Sequence, residues 1–238
     1  MSTHATTELR RAAHVFVFGL GGRTGTTALQ NILTATGQIH CWGEYPRFAF
    51  SDWVAWCHSL VAGRVSAEPS GPAVHPRGIV HAALSAVGPH PDTGRGGSKQ
   101  LTVRGVDTLH QLRAVFPRAL YVFAYRDPVK QWRSLRRFAR HHVGTDTAEN
   151  FAREYVRLAA IYGQVDGYWV RQDRVSESTS ELCSWLGLPT PAAEATARRY
   201  FPTPDRPPVS VDDRKTLERL GAAECFERLK RHGVHGGH

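Results

Sequence analysis

A glycine-rich turn between a short apolar strand and a helix dominates the amino-terminal part of this chain. Val15–Gly19 reads VFVFG, which has the length and composition of a buried strand. Residues 20–27 carry three glycines, one arginine and three threonines, and Ala28–Thr36 then repeats apolar residues with helical spacing. Free backbone N–H groups and the helix dipole point toward such a loop, so this order of elements predicts an anion site.

Strands and helices continue to alternate along the chain. Apolar runs predict strands at Leu101–Val106, Ala119–Tyr125 and Gly167–Gln172. The helices that follow these strands are predicted over residues 107–115, 128–141, 146–162, 176–186 and 212–231. The alternation predicts an α/β fold with a central, mostly parallel sheet flanked by helices.

The length of 238 residues indicates a single domain spanning residues 1–238. Residues 63–98 are rich in Gly, Pro, Ser and His without periodicity, and are interpreted as a loop or lid inserted in that domain. No apolar run is long enough to span a membrane. Residues 1–14 lack the apolar core of a signal peptide, so a cytoplasmic location is expected.

The formal net charge of +9 favours an anionic ligand. The cations form no long basic run, so nucleic acid is not expected as the partner. The four cysteines are scattered without a C-x-x-C spacing. That scatter suggests neither a zinc site nor a disulfide framework, and no metal is predicted.

Two common nucleotide motifs fit the glycine-rich loop poorly. A P-loop of ATP-binding proteins needs a lysine after its last glycine, where this chain has Thr26. The dinucleotide fingerprint begins literally at Gly19 and Gly21, but Thr24 stands in place of its third glycine.

The run Gly22-Arg23-Thr24-Gly25-Thr26-Thr27 resembles a different loop. It is similar to the 5′-phosphosulfate loop of sulfotransferases that use 3′-phosphoadenosine 5′-phosphosulfate (PAPS). A second signature of that family is an arginine after a buried strand and a serine eight residues later. Arg126 and Ser134 stand at these positions, and the resemblance implies that they bind the 3′-phosphate.

The resemblance covers about residues 16–44 and 101–189, and it implies a P-loop-like fold and further site residues. Relatives carry a basic residue on the strand before that arginine, and Arg104 occupies the matching place, where it would assist the sulfuryl group. Branches of the family use a glutamate after the first helix as general base, which indicates Glu44 here. His40, His58 and His110 are reserve candidates for the base.

The implied function is transfer of a sulfuryl group from PAPS to a hydroxyl group, without a metal, leaving 3′,5′-adenosine bisphosphate. The acceptor stays open among small molecules, carbohydrates and peptides. The aromatic residues between Trp42 and Trp56 either wall an acceptor pocket or pack a helix into the core. Two alternatives remain: an ATP-dependent small-molecule kinase, and a non-catalytic module that binds nucleotides or polyanions.

Overall fold

The computed structural model describes residues 14–42, 47–62, 96–100, 103, 105–136, 146–200 and 208–232. The strands of these residues are β1 (Val15–Gly19), β2 (His40–Trp42), β3 (Gly96–Gln100), β4 (Leu120–Tyr125) and β5 (Tyr168–Arg171). The α-helices are α1 (Thr26–Ala35), α2 (Arg47–Val61), α3 (Val106–Val115), α4 (Pro128–Leu135), α5 (Ala148–Tyr162), α6 (Val175–Leu186), α7 (Pro191–Ala197), α8 (Val211–Arg219) and α9 (Ala222–His232).

The five strands form one sheet in the order β2-β3-β1-β4-β5, and every neighbouring pair is parallel. The predicted α/β fold with a parallel sheet is therefore confirmed. Gly19 at the end of β1 pairs with Ala124, and Tyr125 at the end of β4 pairs with Arg171. The loops that leave these strands consequently lie at one edge of the sheet, where ligands bind in open α/β folds.

Alternate residues of β1 and β4 face two different apolar layers. The layer with α2, α3, α4, α5 and α9 is aromatic, and the two strands contribute Phe16, Phe18, Tyr121, Phe123 and Tyr125 to it. The layer with α1, α6 and α7 is aliphatic, and the two strands contribute Val15, Val17, Val122 and Ala124. Burial on both faces explains why these two strands read as continuous apolar runs in the sequence.

The strand predicted at Leu101–Val106 is wrong. In the structure β3 lies at Gly96–Gln100, whereas Val106 begins α3. The sequence GGSKQ has little β propensity, so the strand is stabilised by backbone pairing with β1 and β2 on its two sides. Gly97 allows this close pairing, because a Cβ atom there would lie 2.7 Å from the carbonyl oxygen of Val15.

The position of β3 also shortens the loop predicted over residues 63–98. Its last three residues belong to β3, and residues 63–95 lie outside the described ranges. The prediction of a lid in this segment therefore stays a prediction.

The carboxyl-terminal helix predicted over residues 212–231 is two helices, α8 and α9. Gly221 lies between them with φ of +76°, a left-handed conformation that ends a helix and that glycine adopts at low cost. The helix α7 was not predicted, since its sequence PAAEATA offers little apolar periodicity. The helix predicted over residues 128–141 is described as far as Leu135, with Arg136 as its cap.

The aromatic segment forms strand β2 and helix α2. Phe50, Val54 and Cys57 are buried on the core side of α2, and the Phe50 ring packs on Phe18 with ring centroids 6.2 Å apart. This face of the helix packs into the core. The core-packing interpretation concerned Trp53, Trp56 and Leu60, whose side chains lie outside the description, so the choice between core packing and an acceptor pocket stays a prediction for them. Within the described ranges, no helix has the length and apolar character required to cross a membrane.

Candidate active site

The loop between β1 and α1 has an unusual alternation of backbone conformation. Gly21, Arg23 and Gly25 have φ values of +82°, +68° and +94°, whereas the residues between them do not have positive φ. Residues whose φ alternates in sign can turn successive N–H groups toward one concave side, the arrangement found in anion-binding nests, and residues 21–25 are called the nest here. Gly25 is also the N-cap of α1 and has no side chain that could cap the first N–H groups of the helix.

The three threonines of the loop have different surroundings. Thr24 is buried, and its hydroxyl donates to the Gly21 carbonyl oxygen at 3.2 Å, which closes the turn. Thr26 is buried in the first turn of α1, and Thr27 is exposed. The Thr24 hydroxyl therefore shapes the loop from inside, while Thr27 faces the open side.

The two predicted phosphate motifs meet at Arg23. The Nε atom of Arg23 donates to the Ser134 hydroxyl at 3.2 Å, and the Arg126 guanidinium donates to the Arg23 carbonyl oxygen at 3.4 Å. Arg126 and Ser134 are only 6% and 1% exposed. Residues more than a hundred positions apart in sequence thus form one basic, partly buried cluster beside the nest.

The backbone of Arg126 is held in place by a hydrogen bond to its carbonyl group, in addition to the contact of its side chain with the loop. The Tyr155 hydroxyl donates to the Arg126 carbonyl oxygen at 2.9 Å, and burial raises the pKa of Tyr155 well above its usual value, so it stays a donor. The Asp127 carboxylate accepts from the Lys130 N–H at 2.9 Å and caps α4, with Pro128 in its first turn. These contacts direct the chain from β4 into α4 and fix the point where the arginine leaves the sheet.

Two functional candidates in the structure were missed by the sequence reasoning. Gln131 is fully buried on α4, and its amide nitrogen donates to the carbonyl oxygens of Leu20 and Gly22. Lys99 at the end of β3 is 7% exposed, and its ammonium group donates to the Thr27 hydroxyl at 3.1 Å. A usable signal existed only for Lys99, because lysine is rare in this arginine-rich chain.

Glu44 and Arg104, the predicted base and sulfuryl-assisting residue, lie outside the described residues. Trp42 ends β2 opposite Ser98, the neighbour of Lys99, two residues before Glu44 in the sequence. The chain therefore leaves β2 at the edge of the sheet that carries the nest.

The reserve histidines occupy three different elements. His40 opens β2, His58 is partly buried in the last turn of α2, and His110 is exposed on α3. His40 pairs with Gly96 at the beginning of β3, away from the carboxyl edge of the sheet.

Thiol chemistry is disfavoured in this protein. All four cysteines are buried and free, and burial raises the pKa of Cys41 to about 12 although Lys99 opposes the shift. In the described ranges, no three His, Cys, Asp or Glu side chains are grouped so that they could hold a metal ion.

A cavity of about 500 Å³ lies between the end of α5, β5 and α9, with Gly163, Trp169 and Arg228 in its lining. It borders the loop that enters β5, which is the edge of the sheet opposite to the nest. The cavity is therefore separate from the cluster around Arg23.

The fold and this cluster define a class, the α/β proteins of P-loop-like fold with a glycine-rich loop at the carboxyl edge of a parallel sheet. Within this class, residues 14–191 match the family model described as "Sulfotransferase family", which covers well over half of the chain. The chain belongs to the sulfotransferase family, and the resemblance inferred from its motifs is confirmed.

Solved sulfotransferase structures share the fold at low sequence identity. The crystal structure of a sulfotransferase from Alicyclobacillus acidocaldarius is 15% identical with a TM-score of 0.53, over 94% of this chain and 97% of that chain. Sulfotransferase STF1 from Mycobacterium tuberculosis H37Rv is 16% identical with a TM-score of 0.50, over 95% and 80% of the two chains. These likenesses support the fold. A sequence comparison with curated proteins found no match.

Proposed function

We propose that this enzyme transfers the sulfuryl group of PAPS to a hydroxyl group of an acceptor. The contact between Arg23 and Ser134 carries the proposal, since it joins the loop suited to a 5′-phosphosulfate with the pair suited to a 3′-phosphate. A donor with phosphates at both ends of one ribose needs two such anion sites side by side. The net charge of +9 is in keeping with a polyanionic donor.

Two sets of residues bind the two anionic groups of the donor. Backbone N–H groups of Gly22, Thr24 and Gly25, together with Thr26 and Thr27 at the start of α1, hold the 5′-phosphosulfate. Arg126 and Ser134 hold the 3′-phosphate through charge-assisted and hydroxyl hydrogen bonds. The acceptor oxygen attacks sulfur, the bond from sulfur to the bridging phosphate oxygen breaks, and 3′,5′-adenosine bisphosphate leaves.

Cations stabilise the charge that develops on the leaving phosphate oxygen and on the sulfuryl oxygens. Arg23 precedes α1 by three residues and Lys99 bonds Thr27 in the first turn of α1, and both cations are placed by hydrogen bonds. Arg104 remains a predicted contributor to the same charge. Glu44 is proposed as the general base that takes the acceptor proton as the new bond to sulfur forms.

The donor is tested by calorimetric titration with 3′,5′-adenosine bisphosphate and with ATP, each with and without Mg²⁺. Micromolar binding of the bisphosphate without metal is expected, with ATP weaker because it has no 3′-phosphate. Tighter binding of Mg-ATP would overturn the proposal and favour a kinase.

Replacing Lys99 with methionine is expected to lower kcat and kcat/KM together, by roughly ten- to thirtyfold. Methionine has a similar volume but no charge, so it removes the hydrogen bond to Thr27 and leaves the strand packing in place. Initial rates of ³⁵S transfer from labelled PAPS to a panel of phenols, sugars and peptides measure the effect. The exposed Lys215 on α8 is the matched control, and Lys215→Met should leave the rates unchanged. Equal rates for Lys99→Met and the control would remove Lys99 from the mechanism.

A further inference from the structure

Side chains hold the carbonyl groups in the first half of the loop between β1 and α1, residues 20–25, which we call the anion loop. Four successive carbonyl oxygens, those of residues 20–23, each accept a hydrogen bond from a side chain. The donors are Gln131 to Leu20 and Gly22, Thr24 to Gly21, and Arg126 to Arg23. A carbonyl oxygen that faced the nest would repel an anion, so these bonds keep the concave side lined by N–H groups.

Gln131 makes two of these four bonds with one amide group. Its nitrogen lies 2.7 Å from the Leu20 carbonyl oxygen and 2.8 Å from that of Gly22. The side chain is 0% exposed, and its Oε1 atom is buried with no hydrogen-bond partner among the described residues. The two carbonyl groups therefore decide how the amide is oriented.

The loop conformation needs such support because one of its left-handed residues is not glycine. Arg23 has φ of +68°, which is unfavourable for a residue with a Cβ atom. Gln131 bonds the carbonyl group of Gly22, directly before Arg23, and Ser134 bonds the Arg23 side chain. Gln131 and Ser134 are three residues apart on α4, so they lie on the same face of the helix.

We propose that Gln131 is a positioning residue that holds the loop in its anion-binding conformation before the donor arrives. It ties the 5′-phosphosulfate loop to the helix that carries the 3′-phosphate serine, so both anion sites are held as one unit. This inference rests on the proposed function and deepens it, since it assigns the organisation of the loop to a residue that neither family motif specifies.

The test compares two nucleotides that differ only at the 5′ position. Calorimetry measures binding of 3′,5′-adenosine bisphosphate, which reaches the loop, and of adenosine 3′-monophosphate, which lacks the 5′-phosphate. Gln131→Met keeps the length of the side chain but removes both donated hydrogen bonds. We expect the bisphosphate to bind about tenfold more weakly, while the monophosphate changes by less than about twofold.

Gln30 offers a matched control on α1. Its amide nitrogen donates to the Cys41 carbonyl oxygen at 3.0 Å, a bond of the same type outside the loop. Gln30→Met should leave the ratio of the two affinities unchanged. Should Gln131→Met fail to fold, Gln131→Asn serves instead, because it keeps the amide but is too short to reach both carbonyl groups. The asparagine variant is expected to lower the ratio of the bisphosphate affinity to the monophosphate affinity.

An unchanged ratio in Gln131→Met, or an equal loss for both nucleotides, would overturn the positioning role and leave Gln131 as a packing residue. If the wild-type protein binds neither nucleotide, the proposed donor itself is wrong and the inference falls with it. The two failures are thus distinguishable from the wild-type titration alone.

Discussion

Arg126→Ala should weaken binding of 3′,5′-adenosine bisphosphate by at least about a hundredfold. Arg126 is 6% exposed, and its guanidinium bonds the carbonyl group of Arg23, whose side chain bonds Ser134. A phosphate bound there would make charge-assisted hydrogen bonds to a guanidinium that has little water around it. Two such bonds are worth roughly 3 kcal/mol or more together. Calorimetry should show the loss as a larger dissociation constant, with the number of binding sites unchanged.

Arg136→Ala is the matched control for this substitution. Arg136 caps the same helix and carries the same charge, but it is largely exposed and pairs with Asp213 at 3.4 Å. An exposed pair of this kind contributes about 1 kcal/mol or less to stability, so the variant should fold and bind the nucleotide normally. Arg126→Lys sharpens the result, because lysine keeps the charge but loses the planar pair of donors.

Similar losses in Arg126→Ala and Arg136→Ala would mean that net charge, rather than a defined phosphate contact, governs binding. Unchanged affinity in Arg126→Ala would remove the 3′-phosphate from this cluster altogether. In that case the second motif would be structural, and its arginine would serve mainly to hold the Arg23 carbonyl group.

The parts of the fold that the sequence predicts well are those whose side chains are selected by burial. β1 was predicted at its observed bounds and β4 within one residue, because both are buried on two faces and consist of apolar residues. β3 was not predicted at its observed position, because its sequence GGSKQ has no run of apolar residues. Its place depends on backbone pairing and on the small size of Gly97, which a linear pattern does not display.

The candidate site divides in the same way. Residues of the two motifs, such as Arg23 and Arg126, could be predicted because their chemistry recurs with a fixed spacing after a strand. Gln131 could not, since its two bonds reach carbonyl groups more than a hundred residues away, and Lys99 offered only its rarity in an arginine-rich chain. A buried glutamine in a short amphipathic helix looks ordinary until the loop is folded against it.

Glu44→Gln should lower the rate of sulfuryl transfer by about a hundredfold or more, while binding of 3′,5′-adenosine bisphosphate changes by less than about threefold. Glutamine has the shape of glutamate but cannot accept the acceptor proton. The position follows β2, which ends at the same edge of the sheet as the anion loop. Transfer of ³⁵S from labelled PAPS measures the rate, and calorimetry measures the binding.

Glu177 provides the matched control, because it is 71% exposed on α6 and pairs with Arg174. Glu177→Gln should change neither the rate nor the binding.

A full rate in Glu44→Gln would move the base elsewhere and bring His40, His58 and His110 back into consideration. If the wild-type protein binds the bisphosphate but transfers no label to any acceptor in the panel or to water, the non-catalytic binding module becomes the better explanation. A large rate loss with binding intact would instead separate catalysis from donor recognition, since the described phosphate contacts follow β4 and do not include Glu44.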